Sequence, residues 1–334
     1  EQGKEQGKEQ GKEQGKEQGK EQVLSEIKGV AGCISSKDKR WVAIVQTSTH
    51  LPQRVDIMDL KTSVTQVVHE AKIKPHILEK LSSPEFGSLE CEGYSLYYRM
   101  IRPKDFDSKK KYPAIVYVYG GPHAQKVNHG WQGMYYLYAH YLASQGFVVF
   151  TLDNRGSANR GKSFESPISK AFGSIDLEDQ ISGARYLQSL PFIEGNRIGI
   201  YGWSYGGYLT LMAMCKAPEI FKVGSSGAPV TDWFLYDTAY TERYLGLPKD
   251  DPESYAKASV FSWTEGLQGR LQLIHGMADD NVLYVNSTML YSELQKLGKP
   301  FEIQAYPGEK HALSSIPMRV HCYASITRFF KDNL

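Results

Sequence analysis

From Val30 to His69 the chain runs in short β-rich segments, "VAGCIS", "RWVAIVQTST", "RVDIMDL" and "SVTQVVH", broken by the polar clusters "SSKDK", "HLPQ" and "LKTS". Alternating apolar and polar residues between such clusters predict one antiparallel sheet of three or four strands. A sheet of that size cannot bury both faces, so residues 23–80 read as a single blade, the last, of a β-propeller whose other blades are absent. After "KPHILEKLSSPEFG" the period changes. Strands are expected at 86–91, 94–102, 113–119, 147–152, 197–202, 222–228, 270–275 and 301–306. Between most of the later ones lie stretches with apolar residues three and four apart, such as "MYYLYAHYLASQG", "LEDQISGARYLQSL" and "VNSTMLYSELQKLG". Strands alternating with helices need crossover connections, hence an α/β fold for residues 81–334: a mostly parallel eight-stranded sheet with helices on both faces. Ligands are expected at the carboxyl ends of its strands.

Residues 1–22 depart from both patterns. They are five copies of EQGK followed by EQ, with a glycine every fourth position and no apolar residue. Neither helix nor core is available to them, and perfect identity at a four-residue period points to tandem DNA duplication rather than to function. In the whole chain of 334 residues, 39 basic side chains balance 37 acidic ones for a net charge of +2. Such a balance makes no field that would draw in nucleic acid or an anionic membrane. No apolar run reaches the length of a membrane span, and the N-terminus lacks a secretory signal pattern, so the compartment is left open. Cys33, Cys91, Cys215 and Cys322 show no metal-ligand or disulfide-framework spacing. They are expected to be free and mostly buried, and no metal or cofactor is called for.

The candidate chemistry centres on "RIGIYGWSYGGY", residues 197–208, where a strand runs into Gly202-Trp203-Ser204-Tyr205-Gly206 and then a helix, "YLTLMAMCK". This is the context of a nucleophile elbow: glycines permit close backbone approach while the serine hydroxyl is held at a helix N-terminus. A serine needs a base, and the base needs a carboxylate. "RLQLIHGMADDN" places Asp279 and Asp280 after the seventh strand, and "FEIQAYPGEKHALSS" places His311 after the eighth, in the order serine, acid, histidine. His275, at the end of a strand, competes with His311, which is preferred because its loop can reach the elbow. For an oxyanion, the Tyr205 backbone N–H is one donor. The phenol of Tyr119, ahead of a Gly-Gly-Pro turn, is either the second donor or an ordinary strand tyrosine. Trp233, Tyr236 and Tyr240 fall at i, i+3 and i+7, one face of a helix, which by spacing alone reads as core.

The segments "VYVYGGP", "DNRGS", "GWSYGGY", "GAPVTDW", "YTERYLG" and "HGMADDNV", with the late histidine, occur in order at compatible spacing. Together they resemble the catalytic domain of the prolyl oligopeptidase family, in its dipeptidyl peptidase IV-like branch, over residues 25–334. The resemblance implies a serine peptidase of α/β-hydrolase fold acting on peptides after proline or alanine, with Ser204, Asp279 and His311 as triad, Asp279 rather than Asp280 being the acid. It implies Tyr119 and Tyr205 as oxyanion donors. It turns the aromatic stripe into a small apolar pocket of Tyr205, Val230, Trp233, Tyr236, Tyr240 and Val282 for the proline or alanine. Asn281 is implied to hold the carbonyl of the preceding substrate residue. In the family an N-terminal propeller supplies paired glutamates and an arginine for the substrate's free amine, and no residue here matches those. Two alternatives stay open: an acylaminoacyl peptidase or carboxylesterase-like hydrolase, and an inactive truncated remnant. The unpaired blade edges further imply association with another chain or a second copy.

Overall fold

The computed structural model describes residues 24–334; the EQGK repeats lie outside the described residues. Four strands come first: β1 (Val30–Ser35), β2 (Trp41–Ser48), β3 (Leu51–Asp59) and β4 (Val64–Glu70), antiparallel throughout and paired in sequence order. Val42 and Ile44 of β2 and Met58 of β3 are buried together with Leu24 packed against them, whereas every residue of β1 and β4 is exposed.

Eight further strands make a second sheet: β5 (Glu85–Cys91), β6 (Tyr94–Ile101), β7 (Tyr112–Val118), β8 (Val148–Leu152), β9 (Ile193–Trp203), β10 (Phe221–Gly227), β11 (Arg270–Gly276) and β12 (Glu302–Tyr306). Their order across the sheet is β12-β11-β10-β9-β7-β8-β6-β5. Pairing is parallel from β12 to β8 and antiparallel for β8 with β6 and β6 with β5. All eight strands stand where the apolar pattern put them; β9 starts earlier, at Ile193.

Both faces of this sheet are covered, and the strands show it by alternating between two cores. Ala114, Val116 and Val118 of β7 pack on one side with Leu177, Ala184 and Leu187 of the helix Ile175–Ser189, with the helix Tyr205–Lys216, and with Leu290 and Leu294 of the helix Val285–Lys296. Ile115 and Tyr117 point the other way, to Tyr136, Ala139 and Leu142 of the helix Gly133–Ser144 and to Ile326, Phe329 and Phe330 of the helix Ile316–Asn333. Side chains on successive strand residues face opposite sides, so continuous apolar runs such as "AIVYV" and "VVFTL" mark strands buried on both. Fully burying one such Val, Leu or Ile is worth about 1.5–3 kcal/mol.

The chain goes from β7 to β8 on one side and later returns to place β9 on the other. The strand order therefore reverses between β7 and β9, and the crevice beyond their carboxyl ends is where an open α/β sheet receives ligands. All four cysteines are free. Cys215 and Cys322 are buried, but Cys91 is half-buried and Cys33 is exposed on β1, so the expected burial holds for two of the four.

Candidate active site

Ser204 sits at the end of β9 with φ 61° and ψ −121°, a left-handed conformation that costs a non-glycine residue energy and persists only where its surroundings enforce it. The enforcement is visible in the glycines. A Cβ at Gly202 would stand 2.4 Å from the carbonyl oxygens of Gly206 and Val118, and one at Gly206 would stand 2.2 Å from the Val118 oxygen. The Ser204 N–H donates to the Gly227 carbonyl at 2.8 Å, pinning the turn to β10. Tyr205 opens the helix, where the first N–H groups have no intrahelical acceptor and the helix dipole favours negative charge.

The acid and the histidine arrive on the loops after β11 and β12. His311 Nδ1 lies 2.7 Å from Asp279 Oδ2. The backbone of His311 is tied to the elbow, because the Trp203 indole N–H donates to the His311 carbonyl at 2.7 Å. Asp279 is buried, and Oδ1 accepts the N–H groups of Asn281 and Val282 at 2.9 and 3.0 Å. Burial pushes its acidity toward weaker, but hydrogen bonds from His275 and His311 prevail and hold the carboxyl well below the usual carboxylate range. Asp280 is exposed and pairs instead with Lys310. His275 is fully buried, its Nε2 3.0 Å from Asp279 Oδ2.

Tyr119 follows β7, half-buried, its ring centroid 6.3 Å from that of Tyr205, and burial pushes the pKa of its phenol up. The turn behind it is fastened by the "DNRGS" segment. Asn154 Nδ2 donates to the Gly120 carbonyl at 3.0 Å, and Asp153 accepts the N–H groups of Lys126 and Val127 at 2.7 and 2.9 Å. Arg155 in turn is held by Asp179 in a fork, Nε and Nη2 reaching Oδ1 at 3.0 and 2.7 Å.

Trp233, Tyr236 and Tyr240 do converge, with ring centroids 5.4–6.1 Å apart, but not as one helical face. Trp233 lies in a 3-10 turn, Tyr236 is extended, and a new helix, Thr238–Leu245, starts after Asp237. Two caps cause the break: the side chain of Asp232 accepts the Phe234 N–H, and that of Asp237 accepts the Tyr240 N–H at 2.8 Å. Val230, Val282, Trp233 and Tyr205 are buried and belong to the same hydrophobic core. The Tyr236 hydroxyl donates to Asn281 Oδ1 at 3.0 Å, which leaves the amide N–H groups of Asn281 as free donors to a ligand.

Four contributors escaped the sequence reading. Phe172 stacks within 4.7 Å of Trp233 and 5.2 Å of Tyr205, and Tyr244 lies 5.0 Å from Tyr240. Asp176, fully buried, accepts the Tyr205 hydroxyl at 2.8 Å, and burial raises its pKa to about 6. Trp203 carries the tie to His311. The contacts of Phe172, Asp176 and Trp203 act across tens of residues, so no local spacing marks them, whereas Tyr244 lies one helical turn from Tyr240 and its i, i+4 spacing was the signal available. Among the described residues no cluster of three or more His, Cys, Asp or Glu is placed to hold a metal ion, and no helix is long and apolar enough to cross a membrane.

Residues 134–334 match the model of the prolyl oligopeptidase family. The chain belongs to that family. It is 41% identical over 262 residues to mouse dipeptidyl peptidase 8, a match covering 77% of this chain and 29% of that protein. With pig dipeptidyl peptidase 4 it shares 37% over 257 residues, covering 76% of this chain and 33% of the relative. The crystal structure of Porphyromonas gingivalis dipeptidyl peptidase 4 superposes with a TM-score of 0.87 at 31% identity, covering 93% of this chain and 44% of that one. The alignments thus span about a third of the length of the curated relatives.

Proposed function

We propose that this chain is a dipeptidyl peptidase IV-like serine peptidase that hydrolyses peptide bonds after proline or alanine through Ser204, Asp279 and His311. The observation that carries the reading is the tie between loops. His311 is fixed by Asp279 at its Nδ1 and, at its carbonyl, by the indole of Trp203, the residue before Ser204, which itself is held in a strained left-handed turn.

Fixing Nδ1–H against the carboxylate leaves Nε2 as the base. It takes the Ser204 proton as Oγ attacks the scissile carbonyl, and the imidazolium formed is stabilised by Asp279. The carbonyl oxygen becomes an oxyanion that receives the Tyr205 N–H and the Tyr119 hydroxyl, two donors oriented before the charge develops. Collapse of the tetrahedral intermediate passes the proton from Nε2 to the leaving amine and gives an acyl-enzyme. Water, deprotonated by the same nitrogen, then releases the acid. The box of Tyr205, Val230, Trp233, Tyr236, Tyr240 and Val282 suits a flat pyrrolidine or a methyl group, and Asn281 suits the preceding carbonyl. So narrow an aromatic slot gives a broad carboxylesterase no advantage. We infer also that the sheet β1–β4 is one propeller blade and that residues 81–334 are the catalytic domain.

The test is fluorophosphonate labelling followed by turnover of Xaa-Pro and Xaa-Gly chromogenic amides. Ser204→Ala is expected to abolish labelling, and turnover to fall on the order of a millionfold, as for other triad nucleophiles. His311→Ala should be as damaging. Tyr119→Phe should cost about a hundredfold to a thousandfold, the worth of one oxyanion donor. Labelling that persists at another serine overturns the site, and equal turnover of the Pro and Gly substrates overturns the pocket.

A further inference from the structure

Asp279 is bound by two histidines. His275, the last residue but one of β11, is fully buried: its Nε2 lies 3.0 Å from Asp279 Oδ2 and 2.9 Å from the Val282 carbonyl, and its Nδ1 lies 2.7 Å from Ser287 Oγ. The partners assign the tautomer. A carboxylate and a carbonyl can only accept, so Nε2 carries the hydrogen, and Nδ1 accepts from the Ser287 hydroxyl. The oxygen that His275 reaches is the one that His311 Nδ1 uses at 2.7 Å. Oδ1 is filled by the backbone of Asn281 and Val282.

We propose that His275 is a positioning residue for the Asp279–His311 pair, holding the carboxylate's orientation and, by sharing Oδ2, setting how basic His311 is. This inference rests on the triad reading above. The physical argument is competition for one oxygen. Each N–H on Oδ2 draws off charge that would otherwise stabilise the other, so the carboxylate favours the His311 imidazolium less than an unshared one would. Removing the His275 donor returns that charge to the bond between Asp279 and His311 and strengthens it. A histidine kept only for packing has no reason to aim its one N–H at the oxygen facing the candidate base. The second half of that bifurcated bond reaches the carbonyl of Val282, so one imidazole fixes both the acid and a wall of the apolar pocket.

The other titratable and charged groups around this pair are few. The Tyr284 ring stands edge-on to His275 at 5.4 Å, Tyr236 approaches through Asn281, and the Lys310–Asp280 ion pair lies on the exposed rim. The carbonyl of Glu309 accepts the Ala278 N–H at 3.0 Å in the neighbouring turn. None is removed by the substitutions below.

The experiment measures the second-order rate of Ser204 phosphonylation by a fluorophosphonate against pH, with the full chain, for wild type, His275→Phe, His275→Gln and His275→Asn. The reagent forms the Ser204 Oγ–P bond as fluoride leaves, and the rate requires neutral His311. In His275→Phe the acid limb of the profile is expected to move up by about half a unit or more. A Gln amide spans the distance to Asp279 and restores the wild-type limb. The shorter Asn keeps the Ser287 partner and loses Asp279, so its limb moves up as in Phe. If His275→Phe fails to fold, the Gln and Asn pair decides alone. The same limb in Gln and Asn, whatever the loss of rate or stability, overturns the proposal. Failure of wild type to react at Ser204 overturns the triad reading itself and is seen before any variant is made.

Discussion

Arg99 is 1% exposed on β6, stacked 5.4 Å from the Tyr136 ring, and none of its guanidinium nitrogens has a hydrogen-bond partner among the described residues. Burial lowers its pKa, and the nearest carboxylate, Asp153, is engaged by two backbone N–H groups. An unpaired buried charge is a cost that an apolar chain of similar volume avoids. Arg99→Met is therefore expected to raise stability by about 1–3 kcal/mol in urea melts, with Ser204 labelling unchanged; a destabilised variant would show that the guanidinium is paired. Asp176 carries the opposite kind of test. Its pKa in the fold is about 6, raised by burial above the unfolded 3.8, so its contribution is fully present below 3.8 and lost as pH rises through 6. Asn keeps an acceptor for the Tyr205 hydroxyl without that loss. Between pH 5 and pH 8, Asp176→Asn should gain roughly 1 kcal/mol on the wild type, and parallel stability curves would refute the raised pKa. Neither residue was legible in the sequence. Ser204, Asp279 and His311 could be proposed from the sequence because elbow and loop motifs are local and the family resemblance chose between the aspartates; Asp176 meets Tyr205 across 29 positions, and nothing near either one announces the other.

At the scale of elements, the inner strands of the large sheet were legible because being buried on both faces forces unbroken apolar runs, while the edge strands β5 and β12 stay largely half-buried or exposed. The helix over Trp233, Tyr236 and Tyr240 was misread because a 3.6-residue period can be met by a turn, an extended residue and a new helix in succession. What decides between them is a pair of aspartate caps, and Asp237→Ala tests this. It should destabilise the helix Thr238–Leu245 by about 1 kcal/mol and weaken discrimination for proline, since Tyr240 loses the bond that sets its N–H; unchanged discrimination would mean that ring packing alone holds Tyr240. The elbow glycines act more severely. A Cβ at Gly206 meets backbone on β7, not a side chain that can turn away, so Gly206→Ala should cost about 1–3 kcal/mol and abolish labelling. Gly32→Ala on β1, where nothing lies within 4 Å of the new atom, is the control and should leave labelling unchanged.

At the scale of the molecule, two specificities that act together in the family have different addresses. The aromatic box proposed to suit proline is built from residues between 172 and 282 of this chain, on the loops and helices of the large sheet. The carboxylates that the family uses for the free amine of the substrate belong to its propeller, and no residue of this sequence matches them. Here the sheet β1–β4 touches the rest of the chain through bonds such as Trp131 N–H to Thr47 Oγ1 at 2.9 Å, and it exposes Ile34, Val64, Val67 and Val68. Strand edges and apolar faces of this kind pair with other chains, which makes concentration-dependent association the expected state of the 334-residue chain in sedimentation. Substrate choice should divide along the same line. Preference for proline or alanine should persist, while a free-amine Xaa-Pro substrate and its N-acetylated twin should approach parity in kcat/KM, because the box proposed above reads the ring of the proline and not the charge of the amine. A remaining hundredfold advantage for the free amine, about 2.7 kcal/mol at the transition state, would mean that a carboxylate of this chain, or of an associated copy, occupies the place of the family's glutamates.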